Sequence, residues 1–352
     1  MRCVGKKNEI IFSFQQVRRD VKTIMLQVPF HLLLSVLVLC PLLALSDVLF
    51  DSQDTIARLR LRNITWKQRN YGERFNGMSL SELSATYLGV MDDATPKASS
   101  SSSLLSILPA TNTSFDWRNT SLAVCIGKIV NQGKCGSCWA VSAVESMADR
   151  LCIRKSQHNS FTTAPRRIAL SSLDVIACDK LCEGLVKCCR GCTGGYPKLA
   201  FTFFEHTGVV SEMCMPYNLS RSLLCPLPRC QKPIDDHIFK AKNTKQILGG
   251  APAMRHEITT NGPVSATFTV YEDFMTYSSG IYKYSGVGKR LGLHAVKVVG
   301  FGISNGTMFW RCQNSWGESW GMNGSFNIAE EECGFEESVF TATPCLDGEI
   351  CI

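Results

Sequence analysis

The chain has 352 residues, 45% of them apolar and 19% charged. That leaves room for one large domain or two packed halves plus removable segments, and it excludes a core-starved miniprotein, a collagen, a coiled coil and wholesale disorder. The net charge of +7 is mild for this length, and Arg2, Lys6, Lys7, Arg18, Arg19 and Lys22 crowd the N-terminus, so no nucleic-acid partner is expected. Eighteen cysteines are too many for an ordinary cytosolic enzyme and point to an oxidising compartment.

In chain order, the first feature is an almost wholly apolar run from Leu32 to Leu45, short of the roughly 20 residues that span a bilayer. It fits the h-region of a signal peptide, with Ala44 and Ser46 placed for a cut before Asp47. Met1 and Met25 both serve as possible starts, and an uncleaved anchor is the alternative reading. Residues 1–46 are therefore read as an N-terminal extension and signal peptide, with no stable membrane span expected in the mature protein. Six Asn-x-Ser/Thr sequons (Asn63, Asn112, Asn119, Asn218, Asn305, Asn323) are compatible with secretion.

Residues 47–107 are polar and poor in cysteine. An amphipathic helix is expected near their start (Ile56, Leu59, Leu61), and the serine run 99–103 should form an exposed connector. All cysteines except Cys3 and Cys40 follow, in the body 108–352.

Within that body Gln132-Gly133-Lys134-Cys135-Gly136-Ser137-Cys138-Trp139 leads into Ala140, Ala143, Val144, Met147, Ala148 and Leu151, the spacing of one helical face. Cys138 thus falls at a helix N-terminus, where unpaired N–H groups and the dipole favour a thiolate and lower the thiol pKa. Taken alone, Cys135 and Cys138 could equally close a local disulfide or a redox pair. Of the six histidines, His294 stands out, at the entry of the apolar, β-branched run Leu291 to Gly302. Asn305-Gly306 marks a hairpin turn, and Met308 to Trp316 returns as the partner strand. A two-residue turn places Asn314 opposite Lys297, three residues from His294, with a bulge as the device that could align the two side chains. Sequence alone does not fix that register.

These residues resemble the papain family of cysteine peptidases, and within it the cathepsin B type, from Trp66 through Pro344. The resemblance implies an α+β, two-lobe fold with a helical left lobe, a β-barrel-like right lobe and the active-site cleft between them. It implies Cys138 as nucleophile, His294 as general acid/base, Asn314 as orienter of the imidazole and Gln132 as side-chain donor to the oxyanion. Trp316 would shield the His294 and Asn314 bond. Gly194 and Gly195, in Cys192-Thr193-Gly194-Gly195-Tyr196-Pro197, would pair with an extended substrate as an added strand. Residues 47–107 would be an inhibitory propeptide, resembling that type at Asn63 to Gln68 and at Met78 to Gly89. No cofactor or metal is implied. Protein and peptide substrates, the chain's own propeptide as intramolecular inhibitor, and a monomer are expected, in a lysosome-like or vacuolar compartment or secreted.

Three departures from cathepsin B stand out. Between Cys214 and Cys230 there is no histidine, so the carboxylate-holding pair of the occluding loop is missing and an endopeptidase is expected. Ser338 takes the place of the glutamate on the floor of the S2 pocket, which favours apolar P2 residues over arginine. Cys312, Cys345 and Cys351 are additional. The resemblance pairs Cys125 with Cys152 and Cys135 with Cys192; pairing among Cys178, Cys182, Cys188, Cys189, Cys214, Cys225 and Cys230 stays open, with disulfides favoured over a zinc site.

Overall fold

A computed structural model describes residues 48–92, 114–158, 165–184, 187–220, 224–230 and 237–351. The apolar run 32–45, the serine run 99–103, the boundary at 107 and Asn112 lie outside these residues.

Two helices and a short strand come first: α1 (Ser52–Leu59), β1 (Trp66–Gln68) and α2 (Leu80–Tyr87). Asp51 caps α1 by accepting from the Gln53 and Asp54 amides, and Ser79 with Glu82 closes a capping box on α2. Leu59 is buried, as its spacing predicts. Leu61 is 86% exposed, because α1 ends at Leu59 and the chain leaves the helical face before Leu61 can join it.

The body then supplies β2 (Phe115–Asp116), the long α3 (Cys138–His158), α4 (Ser172–Cys178), the small hairpin β3 (Cys182–Glu183) and β4 (Lys187–Cys188), and α5 (Pro197–His206). After these come β5 (Ala241–Gln246), α6 (Gly250–Asn261), β6 (Val264–Tyr271), β7 (Tyr277–Tyr282), β8 (Arg290–Ser304), β9 (Thr307–Gln313), β10 (Ser325–Ala329) and β11 (Ser338–Pro344). The main sheet runs β1-β7-β10-β9-β8-β6-β11-β5, with β2 paired to β8. All of its pairings are antiparallel except β7 with β10.

The α+β class and the two-lobe division hold, each lobe having its own core. Trp139, Ala143, Val144, Met147, Phe201 and Phe204 gather the helical one, whereas Phe268, Phe274, Tyr277, Trp310, Trp320 and Phe326 gather that of the sheet. The sheet does not close into a barrel. Its edge at β7 is taken by β1 from the N-terminal segment, and β5 at the other end is packed by α5, so both edges are covered without meeting.

Helix α3 joins the lobes. Every apolar position expected on its inner face is buried, and it lies against β8 and β11. Asp149 on α3 pairs with Lys297 on β8 at 2.7 Å, and Arg150 with Glu257 on α6 at 2.7 Å. Charges this deep are tolerable only as pairs, and removing either partner costs about 3–5 kcal/mol. The expected bridges Cys125–Cys152 and Cys135–Cys192 are present, joined by Cys178–Cys225, Cys182–Cys188, Cys214–Cys230 and Cys345–Cys351. Cys138, Cys189, Cys312 and Cys333 lie outside these bridges. Bonding of Cys135 to Cys192 removes the local Cys135 and Cys138 disulfide from consideration.

Candidate active site

Cys138 is the first residue of α3, so its own N–H has no partner within the helix. His294 lies on β8 and Asn314 directly after β9, and the hairpin between them decides whether they meet. Ser304 opposes Thr307, a register that would carry Lys297 opposite Asn314, but a bulge between Val298 and Gly300 shifts the ladder so that Lys297 faces Gln313 instead. Carried one residue further, Asn314 comes level with Val296, whose side chain shares a face with His294. The result is a bond of 2.8 Å between His294 Nε2 and Asn314 Oδ1.

The tautomer follows from the partners. Asn314 Oδ1 also accepts from the Ser315 N–H at 2.7 Å, so it is an acceptor, and His294 must carry its proton on Nε2. Nδ1, which makes no hydrogen bond, is left as the basic nitrogen. Trp316 lies over the imidazole with ring centroids 4.8 Å apart and is itself fully buried. Gln132 is held by its neighbours on both sides: its backbone N–H donates to Ser315 O at 2.8 Å and its Oε1 accepts from Ser315 Oγ. Sequence reasoning missed Ser315, which links Asn314 to Gln132; its place directly after Asn314 was the available signal.

The N-terminal segment lies over all of this. The Gly89 N–H donates to Cys138 Sγ at 3.1 Å. The Tyr87 carbonyl accepts from Gln132 Nε2 at 3.3 Å and from Trp316 Nε1 at 3.1 Å. Gly195 donates to Gly89 O at 2.9 Å and accepts from the Met91 N–H at 3.0 Å, so Val90 runs parallel to the glycine edge. Gly195 thus pairs as a strand edge with this chain's own segment, whereas Gly194 donates its N–H to Gly191 O and accepts on its carbonyl from the Arg190 N–H. A Cβ on Gly195 would sit 2.5 Å from the Trp139 ring, which explains why no side chain fits there.

This cover overturns the expectation of a lowered thiol pKa. Burial pushes the Cys138 thiol up to about 11, outweighing backbone hydrogen bonds that pull it down. Burial likewise pushes His294 down to about 4 despite the Asn314 bond. With water excluded, neither charged form is solvated, and the pair is held neutral.

Ser338 opens β11 opposite Thr267 of β6, and Thr267 in turn faces Ala295 of β8, next to His294. The three form one cross-strand row that reaches the site. Glu337 is exposed. Thr267 was not anticipated; its buried hydroxyl makes no hydrogen bond.

The papain family cysteine protease model matches residues 111–343. Cathepsin B of Dictyostelium discoideum is 36% identical over 251 residues, covering 66% of this chain and 73% of that protein. Cathepsin B-like CP3 of Giardia intestinalis is 33% identical over 284 residues, covering 79% of this chain and 89% of its own. Among solved structures, proCathepsin B S9 from Trypanosoma congolense superposes with a TM-score of 0.68 at 27% identity, over 84% of this chain and 99% of that one. A helix headed by a buried cysteine, a histidine bonded to an asparagine and a segment folded across both are thus found in a chain that belongs to the papain family of cysteine proteases and is of cathepsin B-like, zymogen type.

Proposed function

We propose that the chain is a cathepsin B-like cysteine endopeptidase stored latent under residues 47–107, with Cys138 as nucleophile, His294 as general acid/base, Asn314 as its orienter and Gln132 with the Cys138 N–H as oxyanion donors. The observation that carries this reading is the Nε2-protonated His294, fixed by Asn314 and leaving Nδ1 bare. Once the cover is gone, Cys138 passes its proton to Nδ1, and the thiolate at the head of α3 attacks the scissile carbonyl. The tetrahedral oxyanion accepts from Gln132 Nε2 and the Cys138 N–H. His294 returns the proton to the leaving amine, giving a thioester. Water then attacks the thioester with His294 as base, and the acid product and the thiol are restored.

Support for latency comes from Tyr87 O, which occupies Gln132 Nε2, and from Gly89 on Sγ. The signal reading of 32–45 supports the secretory route and an acidic or extracellular compartment, and the serine run 99–103 supports maturation by a cut between about 99 and 112. All five described sequon asparagines, Asn63, Asn119, Asn218, Asn305 and Asn323, are exposed, as glycosylation requires. The histidine-free Cys214 to Cys230 segment supports endopeptidase action, and the neutral row Ala295, Thr267 and Ser338 supports P2 residues without positive charge.

The test is acidification of the purified zymogen, continued until residues 47–107 have been cut away, followed by fluorogenic dipeptidyl amides, with Cys138→Ala alongside. Activity confined to the Cys138 protein, Phe-Arg cleaved faster than Arg-Arg, and no stepwise loss of dipeptides from a C-terminally free peptide are expected. Equal activity in both proteins would refute the nucleophile. Equal or faster Arg-Arg cleavage would refute the pocket, and dipeptide release would refute the endopeptidase assignment.

A further inference from the structure

The loop from Gln132 to Cys138 carries both oxyanion donors, the Gln132 amide at its entry and the Cys138 N–H at its exit. It holds no regular secondary structure and turns at Gly133 with φ +63°. Such a loop keeps two donors converged only if something outside it fixes both ends. At its middle the Cys135–Cys192 bridge and the Gly136 N–H on Cys192 O at 3.0 Å do so. At its ends, one side chain spans the gap. Tyr217 Oη donates to the Gln132 carbonyl at 2.9 Å and, with its proton placed there, accepts from Ser137 Oγ at 3.0 Å. Gln132 and Ser137 are both fully buried, so neither bond has water as a substitute. Tyr217 is itself fixed, its N–H donating to Glu212 Oε1 at 2.7 Å, in a segment closed by the Cys214–Cys230 bridge.

We infer that Tyr217 is a positioning residue for the peptidase reaction: its hydroxyl ties Gln132 to Ser137 and so holds the two oxyanion donors at a fixed separation. The inference rests on the roles proposed for Gln132 and Cys138. Tyr217 touches neither substrate nor reacting atoms in this account, and its effect runs through the loop alone. Because the oxyanion exists only after attack, loosening the donors should slow the chemical step while leaving the thiol's own reactivity intact.

The experiment uses enzyme matured from the full zymogen, as wild type, Tyr217→Phe, Ser137→Ala, Gln132→Ala and the Tyr217→Phe/Gln132→Ala double variant. Tyr217→Phe is expected to lower kcat by about 10- to 100-fold with KM little changed, against the 10²- to 10³-fold typical of removing an oxyanion donor outright. Ser137→Ala, which removes the other partner and keeps the ring in place, should show a smaller loss of the same kind. Inhibition by a peptide aldehyde, whose adduct places an oxyanion in the hole, should weaken in parallel, whereas alkylation of Cys138 by iodoacetamide should keep its rate. In the Gln132→Ala background, Tyr217→Phe should cost about threefold or less. Unchanged kcat in Tyr217→Phe, an equal loss in alkylation, or full multiplicativity with Gln132→Ala would overturn the inference. A wild type no more active than Cys138→Ala would instead overturn the site assignment on which it rests.

Discussion

At Gly89 the N-terminal segment touches Cys138 with backbone alone. A Cβ there would lie 2.0 Å from the Gly136 carbonyl oxygen, which belongs to the loop that ends at Cys138 and cannot move without disturbing that residue. The contact is between two backbones, so no rotamer change relieves it. Gly89→Ala is therefore expected to lift residues 87–91 away from Cys138 and to raise the activity of the intact zymogen by about tenfold or more, the clash exceeding about 1.4 kcal/mol. Mature enzyme made from this variant should be indistinguishable from wild type, because residue 89 has been removed. Iodoacetamide offers a second readout: the wild-type zymogen thiol, pushed up to about 11, should alkylate far more slowly than that of Gly89→Ala at neutral pH. A variant zymogen as silent and as slow to alkylate as wild type would show that Gly89 is not what closes the site.

Among the elements, β1 explains how so short a segment stays in place. It pairs with β7 through Trp66 opposite Gly280, and the Trp66 ring packs on Tyr282 and Tyr277 with its Nε1 donating to Lys283 O at 3.0 Å. Between β1 and α2, Arg74 donates to the Trp316 carbonyl and lies over the Phe75 and Tyr87 rings. These ties do not titrate. Of the ion pairs from this segment to the body, Arg290 with Asp92 is exposed on both sides, and Arg58 with the buried Glu272 is long at 3.9 Å and half-exposed at Arg58, so both contribute little. Acid alone is then a weak release signal, and cleavage of the connector carries more of the maturation. Trp66→Ala is expected to cost about 3–5 kcal/mol of docking and to give a zymogen with measurable activity at neutral pH before any cut. A Trp66→Ala zymogen that stays latent would place the holding force elsewhere. The same scale shows where sequence was legible. Helix α3 and the cysteine at its head were readable because apolar spacing and the flanking Cys-Gly-Ser-Cys-Trp are local signals. The match of Asn314 to His294 was not, because it turns on one extra residue in β8, and a bulge leaves no mark in a run such as Lys297-Val298-Val299-Gly300. Tyr217 and Thr267 escaped for a related reason: each reaches the site from a distant part of the chain, and nothing in their neighbours points there. Cys138's pKa was misread because the sequence shows the helix head and hides what covers it.

For the molecule as a whole, buried carboxyls set how stability varies with pH. Burial pushes Asp179 up to about 6, Asp273 up to about 6 and Glu212 up to about 7, in each case outweighing the hydrogen bonds that stabilise the charged form. Each therefore binds a proton in the folded state at pH values where the unfolded chain has already lost it, which makes stability fall as pH rises through that window. His294 works in the opposite sense. Its folded value of about 4 lies below the ordinary 6.5, so its contribution is lost as pH falls from about 6.5 to 4. Of these four groups, three favour acid and one opposes them from about pH 4.5 to 6; from 6 to 6.5 Glu212 and His294 offset each other, and from 6.5 to 7 Glu212 continues alone. Below that range Glu349, held down to about 2 by hydrogen bonds from Arg154 and the Leu346 amide, starts to lose its bonds as it protonates. The intact zymogen should accordingly be most stable near pH 4.5, and its stability at pH 5 should exceed that at pH 7.5 by roughly 1–3 kcal/mol. Urea unfolding at fixed ionic strength reads this directly as a higher midpoint at pH 5, and a midpoint that rises from pH 5 to 7.5 would mean that these carboxyls are ionised in the fold. Glu212→Gln, which is neutral at every pH, should flatten the profile across the whole window of Glu212, from about 4.5 to 7, and most completely between 6.5 and 7, where it acts alone among these groups.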